Sequence, residues 1–359
     1  MVGARGCWLG TLVGHSVAVA GGGDHDAIMS DMSTDATQTT AASTVTPTQQ
    51  STQTPTQQST QQSTNVTPTQ QSTQQSTQQS TNVTPIADWN RLLDGKIAVV
   101  TGGGVGIGRG IAELFAQHGA IVEIAEIDAE RAAAAESAIH LAGGSARAHA
   151  VDVTDDAAAR AFAATVLETH GRVDVLVNNV GDYRPLVRFP DSNAESWKAM
   201  YDINIGHALS MTHAFIGSMI EHNAGSIVNV HSVEGMRGYP GDPVYGAMKG
   251  ALAHFTTCLA VTMGRHGIRV NGIGPDLTQT TQVDYITGGE DDEHLWASWA
   301  PVGRAGWPED QARVALFLAS DQSGFVTGHN IPVDGGTKAG GGWFFSPQAH
   351  RFVNRPTGL

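Results

Sequence analysis

Tyr245 and Lys249 are the residues whose types and spacing most directly suggest chemistry. They stand four residues apart in a segment with a helical pattern, so their side chains share one helix face. A tyrosine with its ordinary pKa of about 10 is a poor base, but a neighbouring ammonium stabilises the phenolate and lowers that pKa. The pair could therefore transfer protons near neutral pH. A solvated helix face is the alternative interpretation of this pair taken alone. Ser232 lies thirteen residues before Tyr245, at the end of a predicted strand.

A glycine-rich segment, Thr101–Gly108 (TGGGVGIG), follows a short apolar strand and precedes an amphipathic helix. Glycines permit a tight turn and a close approach of the backbone to a pyrophosphate. The helix N-terminus supplies free N–H groups and the positive end of its dipole. The segment therefore indicates a dinucleotide site. A tight strand-to-helix turn without a ligand is the alternative.

Glu126 ends the second predicted strand, 18 residues after Gly108. A carboxylate at this place accepts hydrogen bonds from both ribose hydroxyls of an adenosine and repels a 2′-phosphate. No Arg or Lys follows Glu126 directly, so we predict NAD as the cofactor in preference to NADP. Asp128 is a competing carboxylate, but its place after the strand favours a role as a helix N-cap.

Apolar β-branched runs alternate with helical patterns from Lys96 to Val333. Strands separated by helices imply βαβ units, which place the strands parallel in one sheet. We therefore predict an α/β fold: a Rossmann-like, doubly wound parallel sheet of about seven strands with helices on both faces, forming a single domain. Ligands in such sheets bind beyond the carboxyl ends of the strands, where the motifs above fall. The predicted strands cover 96–101, 121–126, 147–151, 173–178, 226–231, 268–273 and about 330–333, and the predicted helices cover 107–118, 128–141, 155–169, 194–222, 245–265 and 309–319.

The order and spacing of these motifs resemble the short-chain dehydrogenase/reductase family. The resemblance rests on Thr101–Gly108, Asn178–Gly181 (NNVG), Ser232 and Tyr245–Lys249 (YGAMK), and it covers about Asp94–Thr337. Each motif is weak alone, whereas the ordered set is specific. Lesser signatures agree with it: Asp152-Val153, Asn204, Ile268–Asn271 (IRVN), Val326–Gly328 (VTG) and Val333–Gly336 (VDGG).

The resemblance implies a role for each matching residue. Tyr245 would be the general acid/base, Lys249 would lower its pKa and hold the nicotinamide ribose, and Ser232 would bind the substrate oxygen. Asn204 would hold a water molecule of a proton relay. The positions that would bind the cofactor are Gly102, Gly106, Ile107, Gly108, Glu126, Asp152, Val153, Asn179, Tyr245, Lys249, Pro275 and Thr280.

Two positions of this chain depart from the family pattern near the expected site. Asp276 stands where the family usually has glycine, which adds a carboxyl group near the nicotinamide pocket. This change leaves Thr278 and Thr280 as alternative contacts for the nicotinamide amide. His231 stands where serine is frequent, and a histidine at a strand end is more typical of a structural role than of substrate contact.

The composition argues against several other classes of function. The chain has 359 residues, with 20 Lys and Arg against 34 Asp and Glu, and a formal net charge of −14. An acidic chain without a basic run argues against binding to nucleic acid or to an anionic membrane surface. No run of 18 apolar residues predicts a membrane span, and we predict no metal site. Cys7 and Cys258 are too few for a disulfide framework, which favours a reducing, cytoplasmic compartment.

Four regions divide the chain. Residues 1–36 fit a poor signal peptide or, as the preferred interpretation, a translation start placed too far upstream. Residues 37–85 form an uncharged Thr/Gln/Ser-rich repeat that has almost nothing to bury, so we predict a disordered tail. Residues 90–337 form the predicted catalytic domain, with a substrate lid over about 277–307. Residues 338–359 form an aromatic extension that we expect to pack on the lid or across a subunit interface.

Several side chains could form the walls of an apolar substrate pocket. They are Tyr285, Trp296, Trp299 and Trp307 in the lid, and Met236, Tyr239 and Pro240 on the loop after Ser232. Ordinary packing of a loop excursion explains the lid residues equally well. The aromatic run at 343–345 in the extension and the resemblance together predict a homotetramer or homodimer.

Three functions are compatible with these observations. The first is an NAD-dependent oxidoreductase that transfers a hydride between the nicotinamide and a secondary alcohol or ketone of medium, apolar size, such as a hydroxysteroid or an alicyclic alcohol. The second is a 3-ketoacyl-type carbonyl reductase, against which Glu126 counts, because reductive members of the family usually bind NADPH through basic residues. The third is a non-catalytic dinucleotide-binding regulator. The complete set of Asn204, Ser232, Tyr245 and Lys249 argues against the third.

Overall fold

The computed structural model describes residues 88–283, 300–341, 344–346 and 351–354. The chain divides into two units, Met1–Ser76 and Thr77–Leu359, and every described residue belongs to the second. The predicted N-terminal segment and repeat tail lie outside the described residues. So do Tyr285, Trp296 and Trp299 of the predicted lid and Trp343 of the extension.

Seven parallel strands form one sheet. They are β1 (Ile97–Thr101), β2 (Ile121–Glu126), β3 (Ser145–Ala150), β4 (Val175–Asn178), β5 (Gly225–Val230), β6 (Ile268–Pro275) and β7 (Asn330–Val333). Their order in the sheet is β3-β2-β1-β4-β5-β6-β7. Strands β2 and β3 therefore lie on one side of β1 and strands β4 to β7 on the other, and the strand order reverses between β1 and β4. This arrangement confirms the predicted doubly wound α/β sheet. Two further strands, β8 (Phe344–Ser346) and β9 (Arg351–Val353), pair antiparallel outside the sheet.

Helices connect the strands. They are α1 (Gly106–Gln117), α2 (Ala129–Leu141), α3 (Asp156–His170), α4 (Ala194–Tyr201), α5 (His207–His222), α6 (Pro243–Met263) and α7 (Pro308–Ala319). The stretch predicted as one helix over 194–222 is α4 and α5 joined by a π-helical turn, Asp202–Gly206. The helix predicted from 245 begins two residues earlier, because Asp242 caps it by accepting from the N–H groups of Val244 and Tyr245. None of the described helices is long and apolar enough to cross a membrane.

Two apolar cores flank the sheet. Successive residues of β1 point to opposite faces, so Val100 belongs to one core and Val99 to the other. Phe115 of α1 packs in the first core, and Phe162 of α3 and Phe215 of α5 pack in the second. Burial on both faces explains why the strands appear in the sequence as nearly continuous apolar runs.

Glu123 interrupts the apolar run of β2, and only 2% of its side chain is exposed. Its two carboxyl oxygens lie 2.5 Å from Nε2 of His149 and 2.7 Å from Nε2 of His170. Burial raises the pKa of Glu123, but the hydrogen bonds and charges of the two histidines outweigh burial and lower the pKa below its usual value. A carboxylate with a depressed pKa stabilises the fold above its unfolded-state pKa, and this contribution is lost as the pH falls through the folded-state value.

Glu123→Gln should therefore lower the free energy of unfolding by about 1–3 kcal/mol at neutral pH, as expected for a buried group that loses its charge-assisted partners. The difference from the unmodified chain should shrink as the pH falls toward 4 and below. Urea unfolding at a series of pH values measures both effects. Glu113→Gln, in a half-exposed ion pair with Arg109, is the matched control and should change stability by no more than about 0.5 kcal/mol. An equal penalty for Glu123→Gln at every pH would contradict the assignment.

Candidate active site

A cleft of about 450 Å³ opens at the carboxyl ends of the strands, beside the position where the strand order reverses. Parallel sheets of this kind bind their ligands there. All predicted site residues line the cleft except Gly108 and Asn204. Both of these residues lie behind the cleft wall, where they support residues that do line it.

The glycine-rich turn joins β1 to α1. Gly102 and Gly106 have φ values of +63° and +60°, which favour glycine. A Cβ atom on Gly108 would lie 2.2 Å from the carbonyl oxygen of Gly102 and 2.5 Å from Nδ2 of Asn179. Val105, the N-cap residue of α1, makes no side-chain cap hydrogen bond. The turn is therefore closely packed from behind, while the N-terminus of α1 has no side-chain cap of its own and suits an anion.

Gly108→Ala should weaken NADH binding by at least about tenfold, because the added methyl must push the turn apart, and a displacement of about 1 Å is enough for such losses. Fluorescence titration with NADH measures the effect. Gly217→Ala is the matched control, since Gly217 lies within α5 and a Cβ there would have nothing within 4 Å. That control should leave NADH binding unchanged and should stabilise the fold slightly. Unchanged binding in Gly108→Ala would contradict the assigned role of the turn.

Glu126 is 3% exposed at the end of β2, and its carboxylate is already held by three donors. It accepts from the N–H of Gly104 at 3.1 Å, from the N–H of Asp128 at 3.2 Å and from Nη2 of Arg131 at 2.8 Å. Asp128 caps α2, as its position in the sequence indicates. Arg131 was missed at the sequence level, because it stands five residues after Glu126 and reaches the carboxylate only after α2 turns back over the strand end. A cation therefore lies beside the predicted ribose site.

Asn179 supports the glycine-rich turn from the end of β4. Its Nδ2 donates to the carbonyl oxygens of Thr101 at 3.0 Å and of Gly102 at 3.3 Å. Asp152 lines the same side of the cleft, and its Oδ1 accepts from the N–H and the hydroxyl of Thr154. These bonds fix both side chains before any ligand binds.

Tyr245 and Lys249 lie in the first turns of α6 and face the cleft together. The ammonium of Lys249 lies 5.9 Å from the centre of the Tyr245 ring and donates to the carbonyl oxygen of Val230 at 3.3 Å. Burial lowers the pKa of Lys249 to about 8, while Asp182 opposes this shift. The ammonium form therefore still predominates at neutral pH, which is the charge state that stabilises a phenolate.

Asn204 lies in the π-helical turn and is completely buried. Its Nδ2 donates to the carbonyl oxygen of Asp182 at 2.8 Å, and its Oδ1 accepts from the N–H of Asp182 at 3.2 Å. A Cβ on Gly181 would lie 2.4 Å from Nζ of Lys249 and 3.0 Å from Oδ1 of Asn204. Glycine at position 181 is what allows these two side chains to approach the end of β4.

Ser232 follows β5 and is buried in the cleft wall. Its Oγ accepts from the N–H of Glu234 at 3.1 Å and makes a long contact of 3.5 Å with the carbonyl oxygen of Pro275. The hydroxyl proton is therefore only weakly engaged, and it could be donated to a substrate oxygen.

Thr278 and Thr280, in the segment after β6, have different surroundings. The hydroxyl of Thr278 donates to the carbonyl oxygen of Asp276 at 2.7 Å and accepts from Nε2 of Gln311 at 3.1 Å. Thr280 instead lies against the glycine-rich turn, where a Cβ on Gly106 would be 3.2 Å from its methyl group. Thr280 is therefore the better placed of the two for a cofactor contact. The carboxylate of Asp276 also lines the cleft wall and is held by Arg237.

The predicted lid begins and ends at one place, because Leu277 and Gln279 bond to the backbone of Gly306. Gln282 then crosses the cleft: its Nε2 donates to the carbonyl oxygen of Gly181 at 3.1 Å, and its own carbonyl oxygen accepts from the hydroxyl of Tyr183 at 3.0 Å. These contacts attach the first part of the lid to the end of β4. Sequence reasoning did not anticipate them.

Aromatic rings flank Tyr245. The ring centres of Tyr183 and Tyr239 lie 6.4 and 5.8 Å from that of Tyr245, both in edge-to-face geometry. Of the three residues predicted to form a wall after Ser232, Tyr239 lines the cleft, whereas Met236 and Pro240 do not. Asn354, which follows β9, also lines the cleft, so the C-terminal extension reaches the site.

His231 lines the cleft from the strand end. Its ring packs over β6, where Cβ atoms on Gly272 and Gly274 would each lie 2.8 Å from it. Burial lowers the pKa of His231 to about 4, so the ring is neutral. This packing supports the structural interpretation.

Comparison with known proteins identifies the family. A family model described as enoyl-(acyl carrier protein) reductase matches residues 102–338. The chain is 40% identical over 248 residues to the 3-oxoacyl-(acyl-carrier-protein) reductase FabG of Chlamydia muridarum, an alignment that covers 69% of this chain and 99% of that protein. The chain belongs to the short-chain dehydrogenase/reductase family. It is therefore an oxidoreductase of a family that binds a nicotinamide cofactor.

Other members of the short-chain dehydrogenase/reductase family carry different names. The short-chain reductase protein NovJ of Streptomyces niveus is 38% identical over 246 residues, which cover 67% of this chain and 93% of that protein. Among solved structures, a 7α-hydroxysteroid dehydrogenase complexed with NADH and 7-oxo glycochenodeoxycholic acid has a TM-score of 0.65 and 32% identity. It covers 69% of this chain and 96% of that chain. The family resemblance inferred from the sequence motifs is thus confirmed.

Proposed function

We propose that this short-chain dehydrogenase/reductase is an NAD-dependent dehydrogenase for secondary alcohols of medium, apolar size. The observation that carries the proposal is the buried carboxylate of Glu126 in the same cleft as Ser232, Tyr245 and Lys249. The carboxylate favours a free 2′-hydroxyl on the adenosine ribose. The other three residues supply a proton-transfer group, its neighbouring charge and a donor for the substrate oxygen.

The cleft fits a dinucleotide. The uncapped N-terminus of α1 and the close-packed glycines suit a pyrophosphate, and a Cβ on Gly106 would stand against Thr280. Gly102, Gly106, Ile107 and Thr280 would hold the pyrophosphate and nicotinamide parts. The adenosine part would be held by Glu126, Asp152, Val153 and Asn179, which line the cleft beside the glycine-rich turn. Pro275 would lie beside the nicotinamide.

Nicotinamide dinucleotide supplies hydride transfer at the substrate carbon, and the proton is the part that this chain handles. Tyr245 would take the proton of the alcohol at its phenolic oxygen, helped by the ammonium of Lys249. Ser232 would donate its weakly engaged proton to the substrate oxygen. Asn204, whose side chain is bonded to the backbone of Asp182, would hold a water molecule of the proton relay.

The apolar character of the substrate is supported by the rings around Tyr245. Tyr183 and Tyr239 pack edge-to-face against its ring, and Gln282 lines the same cleft and donates to the carbonyl oxygen of Gly181. Such walls suit a rigid alicyclic alcohol better than a small polar one. The similar solved structure of a 7α-hydroxysteroid dehydrogenase, complexed with NADH and 7-oxo glycochenodeoxycholic acid, supports a bulky alicyclic substrate by analogy.

A 3-ketoacyl-type carbonyl reductase is the second candidate, and two observations favour it. Several of the relatives carry the name 3-oxoacyl-(acyl-carrier-protein) reductase. Arg131 also places a cation at the predicted ribose site. Its guanidinium could bind a 2′-phosphate if its bond to Glu126 were broken.

The test is formation of NADH from NAD by the full chain, with Tyr245→Phe as the blank. The compounds are hydroxysteroids, alicyclic alcohols, short secondary alcohols and 3-hydroxyacyl thioesters, and the corresponding ketones are assayed in reverse with NADH and with NADPH. Oxidation confined to bulky apolar alcohols is the expected result. Preferential reduction of 3-oxoacyl thioesters with NADPH would replace this proposal by the second candidate.

A further inference from the structure

Arg237, on the loop between Ser232 and α6, is buried between two carboxylates. Its Nη2 donates to Oε1 of Glu234 at 2.8 Å and to Oδ2 of Asp276 at 3.1 Å, and its Nε donates to Oε2 of Glu234 at 3.2 Å. The three side chains are 9%, 10% and 7% exposed. Removing three charges from water costs free energy, and this cost is offset only when the charges are well paired.

The three charges form a closed circuit with Ser232. The N–H of Glu234 donates to Oγ of Ser232, and Oγ contacts the carbonyl oxygen of Pro275, the residue before Asp276. Arg237 closes the circuit by joining the side chains of Glu234 and Asp276. The loop that carries Ser232 is thereby tied to the end of β6 on both sides of the hydroxyl.

Thr337 anchors the circuit to the rest of the sheet. Its hydroxyl donates to Oδ2 of Asp276, the same oxygen that accepts from Arg237. Asp276 is therefore held on a second side, by the segment that follows β7. The carboxyl group at position 276, where the family usually has glycine, has a defined partner in this chain.

We propose that Arg237 and Asp276 are positioning residues that aim the hydroxyl of Ser232 at the substrate oxygen. The proposal rests on the proposed function. Because the N–H of Glu234 occupies one lone pair of Oγ, the direction of the hydroxyl follows the backbone of Glu234. That backbone is held by the Glu234 side chain through Arg237. Without the guanidinium, the two buried carboxylates would lose the positive charge that they share, and the loop would shift to separate or hydrate them.

A double-mutant cycle between Arg237→Met and Ser232→Ala tests this coupling. The measured quantities are the single-turnover rate of alcohol oxidation with enzyme in excess, the dissociation constant for NADH and the free energy of unfolding. Arg237→Met should lower the rate by about 10- to 100-fold when Ser232 is present. It should lower the rate less than about twofold in the Ser232→Ala background, because the group it positions is already gone. NADH binding should stay within about twofold.

Arg269→Met is the matched control. Arg269 is a partly buried arginine, and it donates to the carbonyl oxygen of Leu318 at 2.7 Å and to Oγ of Ser323 at 2.7 Å, outside the cleft. Its loss should reduce stability while changing the rate equally little in both backgrounds. Arg237→Lys should recover part of the rate, since an ammonium still separates the carboxylates.

Asp276→Asn is the second variant, in case Arg237→Met does not fold. It keeps the shape of the side chain and should lower the rate by about three- to tenfold, again only when Ser232 is present. Equal rate losses in both backgrounds would overturn the inference and leave the proposed function standing. Absence of turnover by the unmodified chain with every alcohol and ketone would overturn the proposed function, and the inference with it.

Discussion

Tyr245→Phe should reduce alcohol oxidation by about 10²- to 10⁴-fold, the usual contribution of a positioned acid or base. The substitution removes the phenolic oxygen and keeps the ring, so the edge-to-face contacts with Tyr183 and Tyr239 remain. The dissociation constant for NADH should stay nearly unchanged. Steady-state kinetics on the best alcohol of the panel, with fluorescence titration of NADH, measures both quantities.

Tyr239→Phe is the matched control for this prediction. Tyr239 lines the same cleft and also packs on Tyr245, but it is not assigned to proton transfer. Its replacement should change turnover by no more than a few fold. Lost NADH binding together with retained turnover in Tyr245→Phe would overturn the role assigned to Tyr245.

Glu126→Ala should change the ratio of the dissociation constants for NADPH and NADH by at least about tenfold in favour of NADPH. Removing one negative charge from the neighbourhood of a 2′-phosphate is worth on the order of 1–4 kcal/mol, and each 1.4 kcal/mol is a factor of ten in binding. The change also frees the guanidinium of Arg131, which now donates to Glu126 at 2.8 Å. Titration of both cofactors against the same protein preparation measures the ratio.

Two further variants separate the effect of the Glu126 carboxylate from that of the Arg131 guanidinium. Glu126→Ala combined with Arg131→Ala should lose most of the gain in NADPH binding, because the cation that could meet the phosphate is absent. Glu130→Ala removes an exposed carboxylate on α2, the helix that carries Arg131, and should leave the ratio of the two dissociation constants within about twofold. An unchanged ratio in Glu126→Ala would assign cofactor preference to Asp128 or to the backbone.

The order of the secondary-structure elements was predictable from residue patterns. Six helices and seven strands were expected from apolar periodicity and glycine stops, and the strand ends agree with the structure to within two residues at most positions. The helical stretch over 194–222 was correct in extent, but its π turn was not predicted. A π-helical turn changes the backbone hydrogen bonding locally but leaves the spacing of the apolar residues nearly unchanged, so the sequence pattern gives little indication of the turn.

Part of the site was also predictable. The spacing of Tyr245 and Lys249 puts both on one helix face in any helix, and a glycine-rich segment between a strand and a helix favours a tight turn at the end of the strand. Parallel strands then bring these segments to one edge of the sheet. Twelve of the fourteen predicted residues line the cleft. The family resemblance supplied most of the cofactor positions, whereas local geometry accounts for the glycine-rich turn and the tyrosine–lysine pair.

What no local pattern indicates is which side chains meet across the fold. Arg237 pairs with Asp276, which is 39 residues away in the sequence. Gln282 donates across the cleft to Gly181. Glu123 bonds to two histidines, His149 and His170. The amino-acid order alone predicted the fold class from the alternation of strands and helices. It also predicted the glycine-rich turn and the tyrosine–lysine pair, since these depend on spacing within one element or between two neighbouring ones. The partners of the buried charges were decided only when the strands and loops packed. A charge removed from water must find its opposite among the groups that packing brings to it.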